Sequence, residues 1–154
     1  MTRFALQFGQ TQPGLTYMER HTVYGVCARG EKEIAVARIG HQAPFEWDLP
    51  GGGVEADEDE AGALMREFVE ETGLTVWPTR VLTRAGQFWH DRGEPRNNLA
   101  TYYEVELSAD DADPTEPDHT LVWLSPIEAA QKMRHDSSAW VILQWLRARR
   151  NARD

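Results

Sequence analysis

The chain has 154 residues, a mixed globular composition and one cysteine, Cys27, so no intrachain disulfide is available. The formal net charge is -9, and the absence of a basic stripe excludes a duplex-binding groove as an expectation. No apolar run is long enough to span a bilayer. With no basic-then-apolar leader, residues 1–154 read as one cytoplasmic domain without a membrane partner.

In chain order, "FALQF" (4–8) reads as an edge strand. "HTVYGVCAR" (21–29) and "EIAVARI" (33–39) read as strands joined by a "GEK" turn. Cys27, inside the first of these, is expected to be a buried small hydrophobe. "FEWDLPGGG" (45–53) is a short strand running into a glycine loop. A helix is predicted at about residues 58–72, with Asp57 as its N-cap, Glu60 closing a capping box and Gly73 stopping it.

"LTVWPTRVLTRAGQFW" (74–89) is rich in β-formers but interrupted by Pro78, and "HDRGEPRNN" (90–98) reads as a polar surface loop. "LATYYEVEL" (99–107) alternates like a strand, "ADDADPTEPD" (109–118) is an acidic loop and "HTLVWL" (119–124) is another strand. Ser125, Pro126 and Glu128 form a capping box with proline at the first helical position. Asp136 is the expected cap of the last helix, "SSAWVILQWLRARR" (137–150), whose Trp140 and Trp145 suit either a core or a contact surface. Strands, a helix, more strands and two helices predict an α/β fold with a mixed sheet covered by helices.

The acidity is local. Between residues 55 and 71 the acids Glu55, Asp57, Glu58, Asp59, Glu60, Glu67, Glu70 and Glu71 face only Arg66, which accounts for seven of the nine excess charges. At about 100° per residue, Ala61, Leu64, Met65, Phe68 and Thr72 are expected on the face that packs on the sheet. Glu67, Glu70 and Glu71 are expected on the opposite side, within an arc of about 100°. Like charges at these spacings destabilise a bare helix. A bound cation reverses the sign, and oxygen ligands of this kind suit Mg²⁺.

Gly52, five residues, Glu58, seven residues, then Arg66-Glu67-Phe68-Val69-Glu70-Glu71-Thr72-Gly73-Leu74 resembles a complete Nudix box over residues 52–74. The approach "WDLPGG" and the closing "DHTLVWLSPIEA" (118–129) are also similar to those of the Nudix hydrolase family. The resemblance implies an α/β/α sandwich and hydrolysis of a nucleoside diphosphate linked to a further group, by water and divalent metal. It implies Mg²⁺, with Mn²⁺ as a substitute, on Glu67, Glu70, Glu71 and the Gly52 carbonyl. It also implies that Arg66, partnered by Glu58, orients the glutamates. Relatives often pair, so a homodimer is an expected assembly.

The general base stays open between Glu70 and groups of the loop at Glu116, Asp118 and His119. Asp118 stands where many relatives carry glutamate before the histidine. Phe88, Trp89 and Trp47 are candidates for stacking on the substrate's base. Among Arg38, Arg84, Arg92 and Arg96, Arg38 is the preferred phosphate ligand, because its strand leads towards the site. A catalytically silent nucleotide-sensing module is the alternative function. An isoprenyl diphosphate isomerase on the same fold needs a cysteine in a suitable loop, which Cys27 in a core strand does not supply.

Overall fold

The computed structural model describes residues 2–153. It has eight strands, β1 (Gln7–Phe8), β2 (Met18–Arg29), β3 (Glu33–Ile39), β4 (Glu46–Asp48), β5 (Gly51–Gly53), β6 (Thr75–Asp91), β7 (Glu94–Ala109) and β8 (His119–Leu124). Three helices accompany them, α1 (Glu60–Thr72), α2 (Pro126–Lys132) and α3 (Asp136–Arg153). The sheet is mixed. Its path runs β1-β6-β7-β2-β3-β4, with β5 added to β2 and β8 to β3. The pairs β1–β6 and β2–β7 are parallel, and the others are antiparallel. None of the described helices is long and apolar enough to cross a membrane.

Strand alternation builds the two layers of core. On β2, Val23 and Cys27 join α1 residues Leu64 and Phe68 in one buried cluster. Tyr24 and Val26 point the other way, into a cluster with Ala129 of α2 and Val141, Ile142 and Trp145 of α3. The α/β/α sandwich therefore follows from the period of two in strands set against the period of about 3.6 in helices. Cys27 is fully buried, and burial pushes its thiol up to about 12. Trp145 is core and donates its Nε1–H to Glu104 Oε2 at 2.6 Å, while Trp140 packs on the same core and against Phe8.

Several local expectations change. The glycine run is a strand rather than a loop, since Gly51, Gly52 and Gly53 pair with Tyr24, Val23 and Thr22. Pro78 does not end β6; the register shifts beside it, and a bulge absorbs the missing N–H. Residues 90–98 are not a surface loop but the tip of the β6–β7 hairpin. Arg92 (φ 52°) and Gly93 (φ 85°) make a two-residue turn, both in the left-handed region that matches strand twist. Asn97 and Asn98 are buried in β7.

The helix caps also move. α1 is capped by Asp59, whose carboxylate accepts from the Gly62 N–H at 2.7 Å, and not by Asp57. Glu58 is held by Arg66, and the Glu58 N–H bonds back to the Glu55 carbonyl, so the chain turns once more before the helix starts. Gly73 ends α1 as expected, at φ 76°. Ser125 caps α2 as expected, accepting from the Glu128 N–H. Asp136 lies in the first turn of α3 rather than before it, and the Ser137 N–H there is taken by Gln87 Oε1 at 3.0 Å.

Candidate active site

Arg66 organises the acidic helix. Its Nε and Nη2 grip both oxygens of Glu58 at 2.7 and 2.8 Å, and Nη1 reaches Glu67 Oε1 and Glu70 Oε2, each at 3.1 Å. Nη2 also donates to the Gly53 carbonyl at 3.2 Å, which ties α1 to β5. One guanidinium thus sets the relative positions of three carboxylates and a strand. The arginine's hydrogen bonds to Glu58 hold that carboxyl down at about 2, and Glu58 in return leads the interactions that raise Arg66.

Glu71 is where the expected helix face fails. It is 5% exposed, because about seven residues make two turns and bring it beside Leu64 rather than opposite it. Ala63 is also buried, while Ala61 and Met65 are only half-buried. The Glu71 carboxylate accepts from the Gly51 N–H at 3.2 Å and lies 3.4 Å from His119 Nε2. Burial pushes its carboxyl well above the ordinary glutamate range, reinforced by the neighbouring charge of Glu67. Glu67 is raised for the same leading reason, burial, in spite of Arg66.

The loop before β8 forms the second side. Glu116, Asp118 and His119 bring ligand atoms within 4.8 Å of one another. His119 Nδ1 sits 2.8 Å from Asp118 Oδ1, and that hydrogen bond leads the lowering of the Asp118 carboxyl. The loop is anchored to α1, because the N–H groups of Thr115 and Glu116 both donate to the Glu70 carbonyl, at 2.8 and 2.9 Å. Buried carboxylates with raised affinity for protons, oxygen donors alone on α1 and close backbone at Gly52 form a donor set that fits a hard divalent cation.

These groups border a cavity of about 590 Å³. Gly52, Glu67, Glu71, Phe88, Trp89 and Asp118 line it, as do Arg92, Glu116 and His119. Glu70, Arg66 and Glu58 stand behind the lining, joined to it through Arg66. Arg38 and Trp47 are not among the lining residues. The Arg38 guanidinium rests over the Phe45 ring at 4.3 Å, and the Trp47 ring packs on the core beneath Lys132. Arg84 is exposed, and Arg96 donates to the sulfur of Met18 at 3.0 Å. Phe88 is 4% exposed, with its ring against Tyr17 and Arg3, whereas Trp89 stands edge to face with His135.

A third wall has no counterpart in the sequence reading. Asp48 is buried and accepts from the Leu49 N–H at 2.8 Å, Ser138 Oγ at 3.2 Å and Arg134 Nε at 3.3 Å. Arg134 and His135 come from the junction between α2 and α3, 86 and 87 positions beyond Asp48. Burial alone lowers Arg134, but Asp48, Tyr24 and Glu46 outweigh it and the net direction is upward. An acid set between Trp47 and Leu49 in "FEWDLP" was a usable signal for Asp48. No local pattern marks Arg134 or His135.

A model of the NUDIX domain matches residues 18–146. The chain is 48% identical over 47 residues to an RNA pyrophosphohydrolase of Acidiphilium cryptum (strain JF-5), a stretch that covers 29% of either chain. It is 42% identical over 50 residues to diphosphoinositol polyphosphate phosphohydrolase 2 of Rattus norvegicus, covering 32% of this chain and 28% of the relative. The matched stretches thus span under a third of these curated relatives. Among solved structures, a NUDIX hydrolase from Nitrosomonas europaea superposes with a TM-score of 0.71 at 19% identity, over 82% of this chain and 88% of that one.

Proposed function

The chain belongs to the NUDIX family, and on that premise we propose that it is a Mg²⁺-dependent pyrophosphohydrolase. Its substrate is a nucleoside diphosphate joined to a further group. The observation that carries this reading is the array of Glu67 and Glu70 on one arginine with buried Glu71 a turn beyond Glu67, of which Glu67 and Glu71 line a cavity of substrate size.

Glu67, Glu70, Glu71 and the Gly52 carbonyl would hold Mg²⁺, with Mn²⁺ as a substitute. Divalent ions bound there neutralise the diphosphate and make a bound water more acidic. The chain's own groups do the rest by position and charge. Arg66 fixes Glu67 and Glu70 through the contacts given above, and Glu58 fixes Arg66. Glu70, engaged by Arg66 only through Oε2, keeps Oε1 to take the proton of the attacking water. Water oxygen bonds to one phosphorus, the bond from that phosphorus to the bridging oxygen breaks, and the leaving phosphate carries away the electron pair. Asp118 orients His119 against Glu71, which fixes the buried end of the array.

The test is phosphate or pyrophosphate release from nucleoside triphosphates, oxidised dGTP, ADP-ribose, nucleotide sugars and dinucleoside polyphosphates. Each is measured with Mg²⁺ and with EDTA, beside Glu70→Gln. Metal-dependent release that collapses in the variant is expected. Tight binding of one compound without turnover of any would overturn the hydrolase and leave a nucleotide sensor.

A further inference from the structure

One residue at the rim of the cavity holds a backbone conformation that its side chain disfavours. Arg92 is the only non-glycine residue with positive φ among the described residues, at 52°. Its place in the β6–β7 turn suits asparagine or glycine, because a Cβ in the left-handed region crowds the following carbonyl. The fold gains no ion pair in return. Among the described residues, no carboxylate pairs with the exposed Arg92 guanidinium. Strain kept beside a cavity is a mark of function when the surrounding structure holds it in place.

The hairpin tip is held in this way. β6 and β7 pair as far as Asp91 and Glu94. His90 Nε2 lies 3.3 Å from the OH of Tyr17, and the two rings stand edge to face. Tyr17 is buried, and its OH accepts from the Gln12 N–H at 3.0 Å. Arg92 is therefore presented to the cavity from a fixed point.

Seven carboxylates and only three arginines line that cavity. Arg134 is taken by Asp48 and Glu46 and lies over the Trp89 ring. Arg20 rests on β5 beside the metal-fitting array, where a Cβ on Gly53 would meet its Nη2 at 2.7 Å. Arg92 stands at the other end. Gly52 pairs with Val23, Val23 with Thr101 and Thr101 with Arg84, so Arg92 lies eight positions along β6 from the level of Gly52. At about 3.3 Å per residue that is on the order of 25 Å of strand. A diphosphate held at the array does not itself meet Arg92, and the free cation there fits a second anionic group.

We propose that Arg92 is a specificity-determining residue, which binds a phosphate that the substrate carries remote from its scissile diphosphate. That phosphate sits either on the ribose of the nucleoside or at the far end of the attached group. The chemistry of recognition is the same for both, paired N–H donors of one guanidinium on phosphate oxygens. With seven carboxylates around it, one arginine selects a single such group and not a polyanion. The proposal rests on the pyrophosphohydrolase reading for the place of the diphosphate.

The test is isothermal titration calorimetry with Mg²⁺ on two pairs of ligands. AMP against adenosine 3′,5′-bisphosphate probes a phosphate on the ribose. Hexaethylene glycol monophosphate against the bisphosphate of the same glycol probes one at the end of a neutral chain. None of these has an anhydride to cleave, so a protein that hydrolyses nothing can still show the Arg92 contact, and an active one can fail to. In at least one pair the bisphosphate is expected to bind about tenfold tighter than the monophosphate, and the pair that shows the gain identifies which part of the substrate carries the phosphate. Arg92→Asn should erase the gain and raise the melting temperature, since asparagine suits the turn. Arg92→Lys, which keeps the charge without the fork, should retain part of the gain. The proposal is overturned if neither bisphosphate gains over its monophosphate, or if the gain survives in Arg92→Asn. It is also overturned if Arg92→Asn melts below wild type, which would give the arginine a structural role.

Discussion

A methyl group on Gly52 would lie 2.7 Å from Glu67 Oε1. Strand β5 and helix α1 approach so closely that the carboxylate reaches over bare backbone. Gly52→Ala must push the end of a flexible side chain aside, which the fold tolerates and the array does not. The expected result is a loss of activity of roughly 10- to 100-fold with the melting temperature nearly unchanged. Activity equal to wild type would show that Glu67 need not sit where it does.

Glu70 is partly exposed, with its charge shared with Arg66. Glu70→Gln keeps the shape and removes the proton acceptor, while Arg66 retains its paired grip on Glu58. Turnover should fall by roughly 10²–10⁴-fold, and thermal unfolding should barely shift. A fall in stability as large as the fall in rate would assign Glu70 a structural role instead.

Arg66→Lys tests the fork. Lysine carries the charge but cannot span both oxygens of Glu58 and also reach Glu67, Glu70 and Gly53. Losing these contacts should lower the melting temperature and the activity together. The Glu58 carboxyl, held down at about 2 by Arg66, sets the acid limit of this support. It is fully present above the ordinary glutamate value of about 4.3 and disappears as pH falls towards 2. Acid unfolding of Arg66→Lys compared with wild type reads this directly.

Glu71 has the opposite sign. Its folded carboxyl is raised by burial, so the folded state holds its proton more tightly than the unfolded chain does. In metal-free protein the resulting penalty is complete above the raised value, and it fades as pH falls towards about 4.3. Melting in EDTA should therefore show Glu71→Gln more stable than wild type at pH 8, with the gap closing by pH 5. Adding Mg²⁺ should stabilise wild type and not the variant. A variant less stable than wild type at pH 8 in EDTA would contradict the assigned cost of the buried charge.

Phe68 is fully buried behind the carboxylates, and a Cβ on Gly25 of β2 would lie 2.7 Å from its ring. Phe68→Ala should cost about 3–5 kcal/mol, a large part of the 5–15 kcal/mol typical of a domain. Urea unfolding measures it. Gly25→Ala should also destabilise, since it drives a methyl group into the same ring.

Much of the site is legible from sequence because it is local. The spacing of Arg66, Glu67 and Glu70 on one helix, with Glu58 in the turn before it, determines which groups one guanidinium can reach, and the alternation along 21–29 and 33–39 determines which residues enter which core layer. The same rule, applied with the angle of Glu71 carried correctly, places that glutamate beside Leu64. Local hydrogen bonding decided what pattern could not. Asp59 rather than Asp57 accepts from the Gly62 N–H and caps α1, and Arg92–Gly93 turns tightly because β6 and β7 pair up to Asp91 and Glu94.

The sequence by itself therefore determined the acidic helix and the α/β composition, which follow from periods of 2 and about 3.6 residues, while the arginine clamp and the donor set were what the resemblance of residues 52–74 implied. Only the tertiary structure decided that the Phe88 ring is buried against Tyr17 while Trp89 stands edge to face with His135, both lining the cavity. It also decided that Arg38 and Trp47 turn to other partners, and that Asp48 meets Arg134 and His135. Those outcomes depend on sheet order and on the packing of α2 and α3 against it. That packing brings together residues more than eighty positions apart, through contacts that no local period encodes.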